Sequence, residues 1–303
     1  MSEFDDLFAK DEAEEKRDNK KPAEKKQFDK GTWAEKKKQE RADVYTMIDD
    51  ATDKLAHDEN AFRDYLTVQA RFDRYSVSNA ILIAHQMPTA TKLADFDTWK
   101  NADAKIKKGE AAIVLMEPGP EYRREDGSTG FSVNIKKVFD ITQTVDGKPV
   151  VQKHPEQRTA IKALINSSPC PIVMDGEKTH DLPAFYSPEE KNIYIRQGLS
   201  GEDIFRYLAD EIATAKLASK DVDRQNAGFY SYCVSFILCE RNGIDTGGIE
   251  LSRISEVFVD IDGKSVRGIL STVRDMTNDI SKDMSRQFEA IEKGNRKRED
   301  AVR

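Results

Sequence analysis

Apolar side chains recur at intervals of three and four along the C-terminal segment of the chain. They are Val266, Ile269, Leu270, Val273, Met276, Ile280, Met284, Phe288 and Ile291. This spacing places them on one side of an α-helix and predicts a single amphipathic helix over residues 261–303. Such a helix must bury its apolar side against other secondary structure. It either folds back onto the preceding chain or pairs with a second molecule, and the sequence leaves both arrangements open.

Residues 1–41 show the opposite pattern, because Lys, Glu, Asp and Ala dominate and apolar residues are few. A segment that buries so little apolar surface does not fold by itself, so we predict a disordered or loosely helical charged arm. A small apolar cluster at Phe4, Leu7 and Phe8 is a candidate docking peptide. A protein partner would therefore bind through this arm or through the C-terminal helix.

The formal net charge of the chain is -7, so any attraction to nucleic acid must come from local basic patches. No apolar run approaches the roughly 20 residues that cross a bilayer, and we expect no membrane association. Cys170, Cys233 and Cys239 are odd in number and form no CxxC pair. This argues against a disulfide framework and a thiolate metal site, and reduced cysteines indicate a cytoplasmic protein.

Between the two ends the patterning predicts an α+β fold with two domains. The first, residues 44–146, combines helices with two strands. The helices are centred on Val44–Leu55, Phe62–Phe72, Asn79–Met87 and Phe96–Asn101, and the strands are Ala111–Glu117 and Phe131–Asp140. Pro118 and Pro120 are predicted to end the earlier strand.

The second domain, residues 155–260, is predicted to be mainly helical. Short strands are expected near residues 172–175, 184–187 and 193–195, and helices near 157–166, 201–220 and 225–242. Gly243 follows the last of these helices and ends it.

The helix predicted over residues 201–220 can be aligned with a metal-binding helix, but it lacks the side chains that bind the metal. An H-E-x-x-H motif places two His side chains on one helix face to bind Zn²⁺, and the Glu activates the bound water. Here Asp210 and Thr214 stand at the two His positions, Glu211 stands at the Glu position, and Tyr232 falls where the next helix would supply the third ligand. These side chains are a poor set for Zn²⁺. We therefore expect no metal, no cofactor, and only a vestigial Glu211.

Several peptides in the first domain resemble the N-terminal domain of ArdC-type antirestriction proteins and their LtrC-like relatives on conjugative elements. They are Tyr75–Asn79, Leu82–Ala90, Trp99, Lys107–Glu110 and Val138–Thr144. The resemblance implies that this domain binds single-stranded DNA and that a zincin-like metallopeptidase domain follows it. It covers most of residues 44–250. The chain departs from the family at Asp210, Thr214 and Tyr232, so we expect the peptidase-like domain to be inactive.

Proteins that bind single strands need cations for phosphates and flat rings on which bases stack. The candidate DNA-binding residues are Arg74, Tyr75, Ser76, Asn79, Gln86, Trp99, Lys107, Lys108, Gln143 and Thr144, with further charge from Arg71, Lys105, Lys136 and Lys137. The structural alternative is that Trp99 is a core residue and that Asn79 and Gln86 brace local backbone. Gln143 and Thr144 follow a strand, where polar residues are freer to serve a ligand.

Three functions are therefore open. The first is a non-catalytic accessory protein of a mobile element that binds single-stranded DNA and protects transferred DNA or counters restriction. The second is an interaction scaffold that binds no DNA. The third is a hydrolase with an unusual site around Glu211.

Overall fold

The computed structural model describes residues 30–124, 126–218, 227–252 and 254–302. Four helices build the N-terminal part: α1 (Lys30–His57), α2 (Glu59–Arg71), α3 (Val77–Gln86) and α4 (Phe96–Asn101). Three of them begin where a short polar side chain accepts backbone N–H groups of the first turn, which no helical carbonyl can reach. These N-caps are Asp58, Ser76 and Asp95.

Helix α1 begins at Lys30, within the segment predicted as a charged arm. Residues 30–40 belong to one structural unit and residues 41–303 to another. In the second unit, α1 buries Val44, Ile48 and Leu55 at the predicted helical spacing. The apolar cluster at residues 4–8 lies outside the described residues.

The first sheet has the strand order β1-β3-β2, with antiparallel pairing throughout. Its strands are β1 (Leu93–Ala94), β2 (Ile113–Arg123) and β3 (Thr129–Asp140). The sequence predicted that Pro118 and Pro120 end the strand that is β2 in the structure, and this prediction is wrong. The register shifts between Pro118 and Glu121, so β2 carries one extra residue there and continues to Arg123. A bulge on an edge strand accommodates proline because the missing N–H is not needed by the ladder.

Side-chain amides of α3 pair with the edge of β2 that faces away from β3. Gln86 accepts the Val114 N–H at 2.9 Å and donates to the Val114 carbonyl at 3.0 Å. Asn79 makes the same two bonds to Met116, both at 2.8 Å. Because backbone groups in a partly buried site must find partners, α3 takes the place of a further strand along this edge.

The second sheet has the order β4-β6-β5, with β4 parallel and β5 antiparallel to the central β6. Its strands are β4 (Ile172–Met174), β5 (Ala184–Ser187) and β6 (Asn192–Ile195). The surrounding helices are α5 (Gln157–Asn166), α6 (Gly176–Thr179), α7 (Gly201–Ala218) and α8 (Ala227–Asn242). Helix α7 packs on α8 and against β5 and β6. The predicted helix ends at 219–220 and 225–226 lie outside the described residues.

After the short α9 (Ile254–Val257), helix α10 (Gly263–Val302) runs across the fold and contacts α3, α5 and α8. Its predicted apolar face is buried on the chain itself. The buried members are Val266, Leu270, Val273, Met276, Ile280 and Met284. This decides between the two arrangements left open by the sequence, because the preceding elements already cover the face.

Each predicted domain contains one of the two sheets, yet residues 41–303 form one compact unit with a continuous apolar core. The α+β class is confirmed, and the boundaries 44–146 and 155–260 stay a prediction. Among the described helices, none combines the length and apolar composition that a membrane span requires.

Replacing Asn79 with Leu tests the pairing between α3 and β2. The variant leaves the Met116 N–H and carbonyl without partners, so we expect the free energy of unfolding to fall by about 2 kcal/mol. Equilibrium denaturation measures this loss. His85→Ala, an exposed position on the same helix, should change it little. If the free energy of unfolding fell no more than in the control variant, Asn79 would not stabilise β2.

Candidate functional site

Most of the polar side chains predicted to contact DNA are already bonded within the fold. Asn79 and Gln86 use both ends of their amides on β2. The Gln143 side chain accepts the Asp140 N–H at 2.8 Å and donates to the Ala111 carbonyl at 2.7 Å. Thr144 is 2% exposed, and its hydroxyl donates to the Ile141 carbonyl. The expectation that Gln143 and Thr144 are free in a loop is therefore not met, because a 3₁₀ turn at residues 141–143 buries them.

Two further candidates also serve the fold. Trp99 is 4% exposed, and its indole N–H donates to the Phe139 carbonyl at 2.9 Å, as the structural alternative predicted. The guanidinium of Arg71 donates to the carbonyls of Pro88 and Ala90 and is half-buried. Burial lowers the pKa of Arg71 from its usual value. Trp99 and Arg71 therefore hold the backbone of this region in place and are not free to contact DNA.

The remaining candidates are accessible. Arg74, Ser76, Lys107 and Lys108 are exposed, and Tyr75 is half-buried with its ring edge-on to Phe72. The Lys107 ammonium donates to the Thr142 carbonyl at 2.7 Å. Arg74 and Lys108 form no ion pair with any part of the chain that the structure describes. Their charge is therefore available to a phosphate.

These exposed cations flank the pairing of α3 with β2 from opposite ends. Asn79, near the start of α3, meets Met116, whereas Gln86, at its end, meets Val114, so helix and strand run in opposite directions. Arg74 precedes α3, and Lys107 and Lys108 precede β2. Lys137, opposite Val114 on the same sheet, is also exposed.

The residues that the sequence aligns with metal-ligand positions lie on α7 and α8, and α7 packs against β5. The Glu211 carboxylate accepts the Tyr186 N–H of β5 at 2.7 Å. Burial raises the pKa of Glu211 to about 7, and the neighbouring Asp210 charge adds to this rise. Burial also raises the pKa of Asp210, opposed by the Ser231 hydroxyl. One Asp210 oxygen, Oδ1, is buried and has no hydrogen-bond partner within the described residues.

This donor set does not fit a metal ion. Over the described residues, no group of three or more His, Cys, Asp and Glu side chains could hold one. Thr214 and Tyr232 offer only hydroxyls, and burial raises the pKa of Tyr232, which keeps it protonated. The imidazoles lie elsewhere in the chain, at His57, His85, His154 and His180. Residues 219–226, between α7 and α8, lie outside the described part.

Tyr186 and Ser231 are contacts of this site that the sequence did not identify. Glu211 faces Tyr186 only because α7 packs beside β5, and Ser231 approaches Asp210 from α8. Nothing in the local sequence around either residue signals these contacts. Chemically, the arrangement holds a carboxyl group that is about half protonated near pH 7 and that already accepts a backbone hydrogen bond. A general base instead needs a free oxygen facing its proton donor.

No family model and no curated protein matches this chain. Solved structures do match, and two of them are of the antirestriction ArdC protein from the R388 plasmid. The metal-free crystal structure is 14% identical, with a TM-score of 0.57 over 79% of this chain and 98% of the ArdC chain. The Mn(II)-bound structure is 13% identical, with a TM-score of 0.56 over 78% and 98%. At this identity the likeness is one of fold, and the chain has the ArdC fold that its sequence resemblance predicted.

Proposed function

We propose that this protein is an antirestriction protein of a mobile genetic element that binds single-stranded DNA and carries a peptidase-like domain without peptidase activity. The fold carries this proposal, because it matches 98% of the chain of an antirestriction protein encoded by a plasmid. The peptides that resemble the ArdC family lie in the part of the fold that contains α3 and the first sheet. Fold and sequence therefore support the same assignment independently.

The DNA-binding part of the proposal rests on the exposed groups around α3 and β2. Arg74 and Lys108 lack ion-pair partners within the described chain, and Lys137 is exposed opposite Val114 on the same sheet. A single strand needs such cations at intervals, with a ring nearby for stacking. Of the two rings among the predicted DNA-binding residues, Tyr75 is half-buried and accessible, whereas Trp99 is buried. Because the whole chain is acidic, binding would depend on this surface rather than on net charge.

The proposal that the protein lacks peptidase activity is based on the side chains at the three ligand positions. The related structure with Mn(II) shows that an ArdC protein binds a metal, but Asp210, Thr214 and Tyr232 do not provide its usual ligands. Glu211 serves instead as an acceptor for the Tyr186 N–H. The role supported for this carboxyl is structural, joining α7 to the edge of β5.

Titration of single-stranded and duplex DNA at two salt concentrations, followed by fluorescence anisotropy, tests the binding proposal. We expect salt-sensitive binding that favours the single strand. Arg74→Ala and Lys108→Ala should each weaken it and lower the slope of log affinity against log salt by about 0.7. Lys282→Ala, exposed on α10, serves as the control. No binding at low salt would leave the scaffold function as the better account.

Thermal unfolding with excess Zn²⁺ or Mn²⁺ tests the loss of the metal site. A ligand that binds only the folded state raises its Tm, so we expect no rise for this protein. The variant Asp210→His/Thr214→His/Tyr232→Glu restores an H-E-x-x-H set with a third ligand and should gain a metal-dependent rise. A metal-dependent rise in the Tm of the unaltered protein would contradict this and favour the hydrolase function around Glu211.

Glu211→Gln tests the role of this carboxyl through pH. The pKa in the folded protein is raised from 4.5 to about 7, so the native state binds the proton more tightly than the unfolded state. Stability contributed by the protonated form is present below pH 4.5 and is lost as pH rises through 7.

The Gln variant keeps an acceptor for the Tyr186 N–H and carries no charge. Relative to the unaltered protein, it should gain on the order of 2 kcal/mol between pH 5 and pH 8, measured by denaturant titration. Glu202→Gln, exposed on the same helix, should show no such trend. A pH-independent difference would mean that Glu211 is ionised throughout this range.

A further inference from the structure

Four buried polar atoms lie on two helices, α2 and α10, that are linked by side-chain contacts. On α2 they are the Tyr65 hydroxyl and the Gln69 Oε1, and on α10 the Arg274 Nε and the Asn278 Oδ1. None of the four has a hydrogen-bond partner within the described residues. Residues four apart lie on the same face of a helix, so each pair projects to one side. We call this region the α2–α10 seam.

Contacts to neighbouring groups place the four atoms in one region. Asn278 donates through Nδ2 to the Asp73 carbonyl, just beyond the end of α2, at 3.5 Å. The Arg241 guanidinium of α8 reaches both helices, since it donates to the Gln69 carbonyl at 3.4 Å and to the Ser281 hydroxyl at 2.9 Å. The Arg274 charge acts on the Tyr65 phenol, which is fully buried. The seam is thus enclosed by α2, α8 and α10.

The orientation of both amides is fixed by their other bonds. The Gln69 Nε2 donates to the Phe72 carbonyl at 3.3 Å and the Tyr75 carbonyl at 3.5 Å, so its oxygen must face the seam. Asn278 is oriented in the same way by the Asp73 carbonyl. Exchanging oxygen and nitrogen in either amide would set an acceptor against a carbonyl. The unpaired atoms therefore include two carbonyl acceptors, one N–H donor, and one hydroxyl that can do both.

This mixture identifies the ligand class. An anion would satisfy only the donors, and a cation only the acceptors, whereas water supplies two donors and two acceptors. We propose that the α2–α10 seam is an internal hydration site, which holds about one or two ordered water molecules with three partners each. The bound water joins α10 to α2, where direct side-chain bonds between the unpaired atoms are lacking.

Magnetisation transfer from water to side-chain amides, measured by rotating-frame NMR on the full chain, tests the proposal. The Gln69 and Asn278 amide protons should show cross-peaks to water, assigned by their loss in Gln69→Leu and Asn278→Leu. The Gln143 amide is the control, because it is buried but donates to Glu110 and the Ala111 carbonyl. It should show none. Absence of cross-peaks at both Gln69 and Asn278 would overturn the proposal.

Tyr65→Phe provides a second test that does not depend on assignment. In a hydrated seam this variant removes one partner of the bound water, so the Tm should fall. In a dry seam it removes an unpaired hydroxyl from the core, so the Tm should rise. Tyr45→Phe, on an exposed position of α1, gives the baseline. A rise for Tyr65→Phe beyond this baseline would overturn the proposal.

Discussion

The pairing of two α3 amides with the edge of β2 is the interaction on which the N-terminal part of the structure depends. An edge strand exposes N–H and C=O groups that would otherwise attract another chain. Here Gln86 and Asn79 satisfy Val114 and Met116, so a helix completes a sheet. The same bonds fix the direction of α3 against β2. They thereby decide where Arg74 and Lys108 stand relative to each other.

In the part of the fold that contains α7 and α8, the main constraint is the burial of charge. Asp210 and Glu211 are adjacent in sequence and largely removed from water. Desolvation and repulsion from the Asp210 charge favour the protonated form of Glu211. The hydrogen bond from Tyr186 then gives it a structural use.

Sequence patterning predicted elements well where capping residues marked their ends. The bounds of α4 and α5 were predicted at Phe96–Asn101 and 157–166, as observed. The long C-terminal helix was equally clear from its spacing. The continuation of β2 beyond Pro118 was missed, because a bulge depends on the partner strand and leaves no local signal. The two-residue β1 and the four-residue α6 are too short to produce a period.

The candidate site was predictable in outline but not by residue. Lys108 and Arg74 are exposed as a charged side chain usually is. By contrast, Gln143 and Thr144 read as loop residues, although a capping box with Asp140 buries them. In the sequence, a polar side chain that bonds to distant backbone cannot be distinguished from one that is free to bind a ligand. Only the three-dimensional contacts separate the two classes.

Helix α10 has a consequence for how the chain acquires its structure. It covers α3, α5 and α8, yet it follows all of them in sequence. During synthesis these three helices emerge from the ribosome before the surface that buries them exists. Their apolar faces therefore stay exposed to water or to chaperones until α10 has been synthesised. Assembly of this core is a late event, finished only when the end of the described fold has been made.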